Sequence, residues 1–166
     1  MDYLWSPWRL QYLTAPRAEG CIFCAMAAAP GEEDEVNKDE ENLVVFRGAH
    51  NFVVLNRFPY TSGHLMVVPY RHVPDLAGID EATASELMAL TRLSERHLRG
   101  LYQPKGLNLG MNIGESAGAG VAGHIHMHVL PRWTGDVNFM TTVARTRVLP
   151  EELGVTWRRL KEAFAA

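Results

Sequence analysis

Gly123-His124-Ile125-His126-Met127-His128-Val129-Leu130 is the stretch on which the reading of this chain turns. Histidines alternate with apolar residues, and in an extended strand successive side chains leave opposite faces. The pattern predicts a strand over 125–130. His124, His126 and His128 would project from one face, about 6.5–7 Å apart, while Ile125, Met127 and Val129 turn to the core. A lone histidine is ordinary packing; three in register are not. Pro131 ends the strand, and no carboxylate follows the triplet. Just upstream, Gly118-Ala119-Gly120-Val121 offers backbone N–H groups with little side chain in the way, the composition that cradles phosphates. His-x-His on a strand can also clamp a metal, but such a site needs a third ligand and an open position. Imidazoles beside an anion cradle fit nucleophilic attack on phosphorus better.

Working outward, β-like runs cover 43–46, 51–55, 64–68 and 107–113, divided by turn-forming residues. Asp80 is placed to cap a long helix reaching about Tyr102, with Leu87, Leu90, Leu93, Leu98 and Leu101 near one face, and Pro104 and Gly106 break it. A short helix is expected over 22–29 and a C-terminal helix over 151–164. The acidic run 32–41 reads as a solvated loop. Phe46, Phe52 and Leu55 read as core, with purine contact as the other reading. Strands, a helix and strands again favour an α+β fold with a mainly antiparallel five-stranded sheet. The expected organisation is an N-terminal arm over 1–20, one domain over 21–140 and a tail with its helix over 141–166.

Length and composition bound the function. The 166 residues suit one domain, and 47% hydrophobic residues supply a core. Sixteen Lys plus Arg against nineteen Asp plus Glu, a net charge of -3, exclude a broad cationic surface for nucleic acid. No apolar run approaches the roughly 20 residues that span a bilayer. The N-terminus has no stretch of signal-peptide character, so a cytoplasmic protein is expected. Cys21-Ile22-Phe23-Cys24 is a single C-x-x-C, and redox and metal-binding roles both remain open on spacing alone. The metal role needs two more ligands, histidines or carboxylates.

The triad run, H-φ-H-φ-H-φ-φ, resembles the signature of the histidine-triad superfamily of nucleotide hydrolases and transferases. Cys21–Cys24, Leu55-Asn56-Arg57 with Gly63-His64, Val68-Pro69 followed by His72, and Gly106-Leu107-Asn108 fall in that family's order. The start, Tyr3-Leu4-Trp5-Ser6-Pro7-Trp8-Arg9, and the segment from Trp133 to Met140 are similar to a bacterial branch that includes diadenosine tetraphosphate phosphorylases. The resemblance implies that His126 attacks the α-phosphorus of a dinucleoside polyphosphate and carries a transient nucleotidyl group. It gives His128 the phosphate and leaving group, places His64 near the phosphate and assigns Asn56 to the ribose. Asn112 with Gly118, Ala119, Gly120 and Val121 would cradle phosphates, and Trp133 would shape that end of the pocket. It also implies a structural zinc held by Cys21, Cys24, His72 and His124, no organic cofactor, and a homodimer or larger assembly that extends the sheet. Magnesium would arrive only with the polyphosphate. Local attraction for the anionic substrate would come from histidines, loop amides and Arg57 or Arg132, and His50 and His97 are expected at the surface. One departure stands out: Gly120 and Val121 occupy the places of the family's usual Gln and Ser or Thr. Phosphorolysis and hydrolysis both remain open, with the branch resemblance favouring phosphorolysis. A nucleotide-binding adaptor, or a hydrolase of nucleoside phosphoramidates or other nucleotidyl bonds, is the alternative.

Overall fold

The computed structural model describes residues 20–28, 35–137, 141 and 148–166. The arm expected over 1–20 lies outside these residues except at Gly20, as does most of 138–147. Strands β1 (Val44–Arg47), β2 (Asn51–Leu55), β3 (Leu65–Pro69), β4 (Gly106–Gly110) and β5 (Met127–Arg132) form one sheet in the order β1-β2-β3-β5-β4. Every neighbouring pair is antiparallel. Helices α1 (Ile22–Ala27), α2 (Glu35–Asn42), α3 (Glu81–Tyr102) and α4 (Leu153–Ala165) complete the described fold, with short 3-10 turns at Leu76–Gly78 and Glu115–Ala117. The α+β class, the five-stranded sheet, the long helix and the C-terminal helix all follow the expectation.

Helix α3 forms where local signals agree. The Asp80 carboxylate accepts the Thr83 N–H at 2.8 Å and caps the first turn. Thr83, Leu87, Leu90, Ser94 and Leu98 recur at spacings of three and four and are buried. Gln103 closes the helix in the left-handed conformation, and Pro104 cannot continue it. The buried leucines of α3 join one core with β1, β2, β3 and Val129 of β5, and α4 contributes Trp157, Leu160 and Phe164. Phe52 and Leu55 are fully buried in this core, and Phe46 packs on Phe164 with ring centres 5.5 Å apart. Phe52 and Leu55 are core residues, and Phe46 is half-buried at the edge of that core.

The acidic segment departs from expectation. Residues from Glu35 form α2 rather than a loop, and Asp39 is only 2% exposed. Its carboxylate receives Arg47 at 2.8 Å and Lys161 at 3.1 Å, so the buried charge is paired from both sides. Those partners come from β1 and α4, which no local charge pattern announces. His97 is half-buried rather than a surface residue, its ring 4.5 Å from that of Phe164, while His50 is exposed.

The triad segment differs in a way that matters. The strand begins at Met127, so His124 sits in a bend and only His128 lies within β5. The Ile125 N–H donates to the Val73 carbonyl at 2.8 Å, which holds the stretch against the chain that follows β3. The three imidazoles therefore do not share one open face. His124 turns away, and the His126 and His128 ring centres approach to 4.7 Å, edge to face.

Candidate active site

Two of the triad histidines, with His64, form the first group. His128 lies opposite Met66 in the register of β5 with β3, and His64 immediately precedes β3. Hydrogen-bond donors around the rings assign the tautomers. The Asn56 Oδ1 accepts the Phe58 N–H at 2.9 Å, which orients the amide so that Nδ2 faces His64 Nδ1 at 3.3 Å. The Tyr60 backbone N–H donates to the same Nδ1 at 3.2 Å. A neutral His64 thus carries its proton on Nε2, which meets His128 Nδ1 at 2.9 Å. His128 then keeps its own proton on Nε2. Burial, followed by the neighbouring His126 charge, holds the His128 imidazole down to about 4, so it is neutral at physiological pH.

His126 is fixed differently. Its Nδ1–H donates to the His124 carbonyl at 2.9 Å, leaving the lone pair on Nε2. Burial lowers its basicity, and the carbonyl contact offsets this only in part. The residue is 5% exposed. Among the described residues, the buried side-chain polar atoms without a partner are Asn51 Oδ1, Ser62 Oγ and Ser94 Oγ. His126 Nε2 has no hydrogen-bond partner among the described residues. An unprotonated imidazole nitrogen beside an N–H donor has the chemistry of a nucleophile with a leaving-group partner.

His124 belongs to a second group. Cys21, Cys24, His72 and His124 present ligand atoms that all lie within 4.8 Å of one another. Cys21 Sγ is 3.2 Å from His124 Nδ1, and Cys24 Sγ is 3.2 Å from His72 Nδ1. A tetrahedral zinc with sulfur and nitrogen ligands sets its ligand atoms roughly 3.3–3.8 Å apart, so the donor set fits. The His124 Nε2–H donates to the Pro69 carbonyl at 2.8 Å, which turns the Nδ1 lone pair toward the sulfurs. Burial, and then contact with Cys21, raises the Cys24 thiol. A cation there would reverse that shift by binding the thiolate.

The remaining expected residues are distributed around these groups. Asn112 lies beyond β4, and Gly118–Val121 belong to the turn leading into His124. Gly118 adopts φ 86°, where a side chain would be strained. The amides of Gly118 and Ala119 bond back to Glu115 and Gly114. Among the described residues those of Gly120 and Val121 make no such bond, which leaves two loop amides rather than four to meet an anion. Trp133 donates its indole N–H to the Tyr102 carbonyl at 3.3 Å and lines a cleft of about 910 Å³ that also reaches Tyr60. The Tyr60 ring is 4.9 Å from that of His64, so the cleft adjoins the imidazole pair. Neither arginine expected to attract substrate is uncommitted. Arg57 donates to the Glu41 carbonyl, and Arg132 is held by Asp136 and Asn108. Sequence reasoning missed the engagement of Asn56 with His64 and the contact of Phe23 with the triad; no local spacing signals either.

Comparison with known proteins agrees with this fold. The HIT domain family model matches residues 37–135. Over 166 residues the chain is 44% identical to a Mycobacterium tuberculosis protein named AP-4-A phosphorylase, covering 99% of this chain and 85% of that one. It is 32% identical over 116 residues to the Bacillus subtilis protein named Protein hit, covering 70% and 73% of the two chains. Among solved structures it is similar to a zinc-bound histidine triad family protein from Mycobacterium smegmatis, with TM-score 0.68 and 27% identity over 88% of this chain and 94% of that one. A Plasmodium falciparum diadenosine triphosphate hydrolase shares the fold at 14% identity, TM-score 0.60, over 75% of this chain and 76% of that one. With its triad, its sheet order and these matches taken together, the chain belongs to the HIT domain family.

Proposed function

We propose that the chain is a nucleotidyltransferase that cleaves dinucleoside polyphosphates of the diadenosine tetraphosphate type, with His126 as the nucleophile. The observation that carries this reading is the bond from His126 Nδ1 to the His124 carbonyl, which leaves the lone pair on Nε2. Nε2 attacks the α-phosphorus, an N–P bond forms, and the P–O bond to the leaving nucleotide breaks. The His128 Nε2–H donates a hydrogen bond to that departing oxygen. A phosphate oxygen is a good leaving group near neutral pH, so a neutral imidazole donor is sufficient. Inorganic phosphate then attacks the phosphorus of nucleotidyl-His126, the N–P bond breaks, and the imidazole is restored. The amides of Gly120 and Val121 supply the phosphate contacts that the family's usual Gln and Ser or Thr side chains give elsewhere, and Asn112, the ribose contact of Asn56 and Trp133 complete the nucleotide site. The similarity to the Mycobacterium tuberculosis protein named AP-4-A phosphorylase supports phosphate as the acceptor.

Zinc at Cys21, Cys24, His72 and His124 belongs to the same reading, supported by the donor set and by the zinc-bound Mycobacterium smegmatis neighbour. A closed four-ligand shell supplies structural cross-linking and no Lewis-acid chemistry. Assembly as a homodimer would continue the sheet beyond an outer strand. Product analysis of diadenosine tetraphosphate cleavage tests the reaction. ADP and ATP are expected with inorganic phosphate present, and AMP and ATP in both conditions would replace phosphorolysis by hydrolysis. His126→Ala should lower turnover by about 10⁴-fold or more with the fold retained; turnover at the wild-type rate would end the proposal.

A further inference from the structure

Phe23 lies between the two cysteines in sequence and is the buried residue of α1, at 2% exposure. Its ring centre is 4.9 Å from that of His126 and 5.4 Å from that of His124, edge-on to the latter. The segment is tied at both ends. Cys21 and Cys24 reach His124 and His72, and the Met26 carbonyl accepts a 3.0 Å bond from Arg47, itself fixed by Asp39. The His126 ring, by contrast, has a single hydrogen bond among the described residues. One bond at Nδ1 does not by itself stop rotation about χ2, whose preference is broad and two-fold. A ring turned about χ2 would break the Nδ1–H bond and present carbon Cε1 in the place of Nε2. Two aromatic rings also pack on it: Phe23, and His128 edge-on at 4.7 Å.

We propose that Phe23 is a positioning residue that holds the His126 ring in its attacking orientation, and that through Phe23 and the His124 carbonyl the cysteine–histidine cluster acts on the orientation of that ring. This rests on the reading of His126 as nucleophile. His124 joins the two sites in one residue: its Nδ1 faces the sulfurs while its carbonyl receives His126. Loosening the cluster removes one anchor of the His124 carbonyl, beside the bonds to Pro69 and Val73, and releases the aromatic wall at its cysteine end.

The test uses zinc-loaded full chain and compares Phe23→Ala and Phe23→Leu with Phe164→Leu, a core substitution packed on Phe46 and His97 away from the triad. In Phe23→Ala, kcat for diadenosine tetraphosphate is expected to fall about 10- to 100-fold, with KM changed less than about threefold. Zinc content should stay at the wild-type level. The two ¹⁵N shifts of the His126 ring, well separated while Nδ1–H is held on the His124 carbonyl, should move toward each other as a turned ring loses that acceptor and its two neutral tautomers exchange. Phe23→Leu should restore part of both signals, and Phe164→Leu should lower the melting temperature while leaving both unchanged. Chelated but folded wild type should show the same averaging as Phe23→Ala. Wild-type kcat and wild-type ¹⁵N shifts in zinc-replete Phe23→Ala overturn the proposal; where that variant does not fold, unchanged kcat and shifts in Phe23→Leu do so. Unchanged shifts in the chelated protein overturn the link to the cluster. Failure of the nucleophile reading is seen separately, as turnover by His126→Ala, and the nitrogen shifts report in either event whether the Nδ1–H bond to the His124 carbonyl is kept.

Discussion

At the scale of single residues, three histidines of one short run have three different environments. His124 offers Nδ1 to sulfur, His126 keeps its lone pair on Nε2, and His128 offers an N–H set by His64. The tautomer of His128 is inherited from Asn56 and Tyr60 through His64. Burial and the adjacent His126 keep His128 neutral, which sets its pH behaviour. Its Cε1 proton resonance should titrate with a midpoint at about 4; a midpoint at the unperturbed value, about 6.5, would contradict the geometry. The linkage has a definite sign. A histidine with a lowered folded-state value binds fewer protons folded than unfolded between those two limits, so its contribution to stability declines as pH drops through that window.

At the scale of elements, Glu86 of α3 organises the turn between β1 and β2. Its carboxylate accepts the N–H groups of Ala49, His50 and Asn51, each at 2.7 Å, and the Asn51 amide at 2.9 Å. Burial raises the Glu86 carboxyl, but the bonds from Asn51, His50 and Ala49 outweigh it and the net shift is downward. Glu86→Ala should therefore destabilise the fold by about 2–3 kcal/mol in urea unfolding, because several turn amides lose a charged acceptor together. The contribution is present above the ordinary carboxylate range and should fade as pH falls below it; a loss within 0.5 kcal/mol would show that water replaces the carboxylate. Helix α3 was legible because its cap, its apolar spacing and its terminating Gln103-Pro104 are all local. Helix α2 was not, since Asp39 finds Lys161 across 122 positions. The same limit applies within the triad run. Period two identified the chemistry, but the bend that sends His124 to Cys21 depends on a partner 103 positions away.

At the scale of the whole molecule, the cysteine–histidine cluster joins α1 to segments following β3 and preceding β5. The fold places four donors together although their sequence separations reach 103 positions. Closing so long a loop is what gives a metal tie its leverage on stability. Protein purified without added metal should contain about one zinc per chain. Chelation should remove a contribution of about 4 kcal/mol at a thousandfold excess of zinc over its Kd. For a chain of this length that corresponds to a fall in melting temperature of roughly 8–16 °C. Calorimetry with and without chelator, with alkylation of Cys21 and Cys24, checks this; an unchanged transition in zinc-free protein would remove the metal from the account of the fold. No described helix is long and apolar enough to cross a membrane.

The division of labour along residues 124–128 has a consequence for inheritance. Ile125 can give way to another apolar side chain, but one added or deleted codon there cannot be absorbed. Such an indel would detach the sulfur-facing ring from the attacking ring, because a single main-chain carbonyl serves as the hinge between them. Among descendants of this chain, the ruler distance between those imidazoles should outlast the identity of almost everything placed between them.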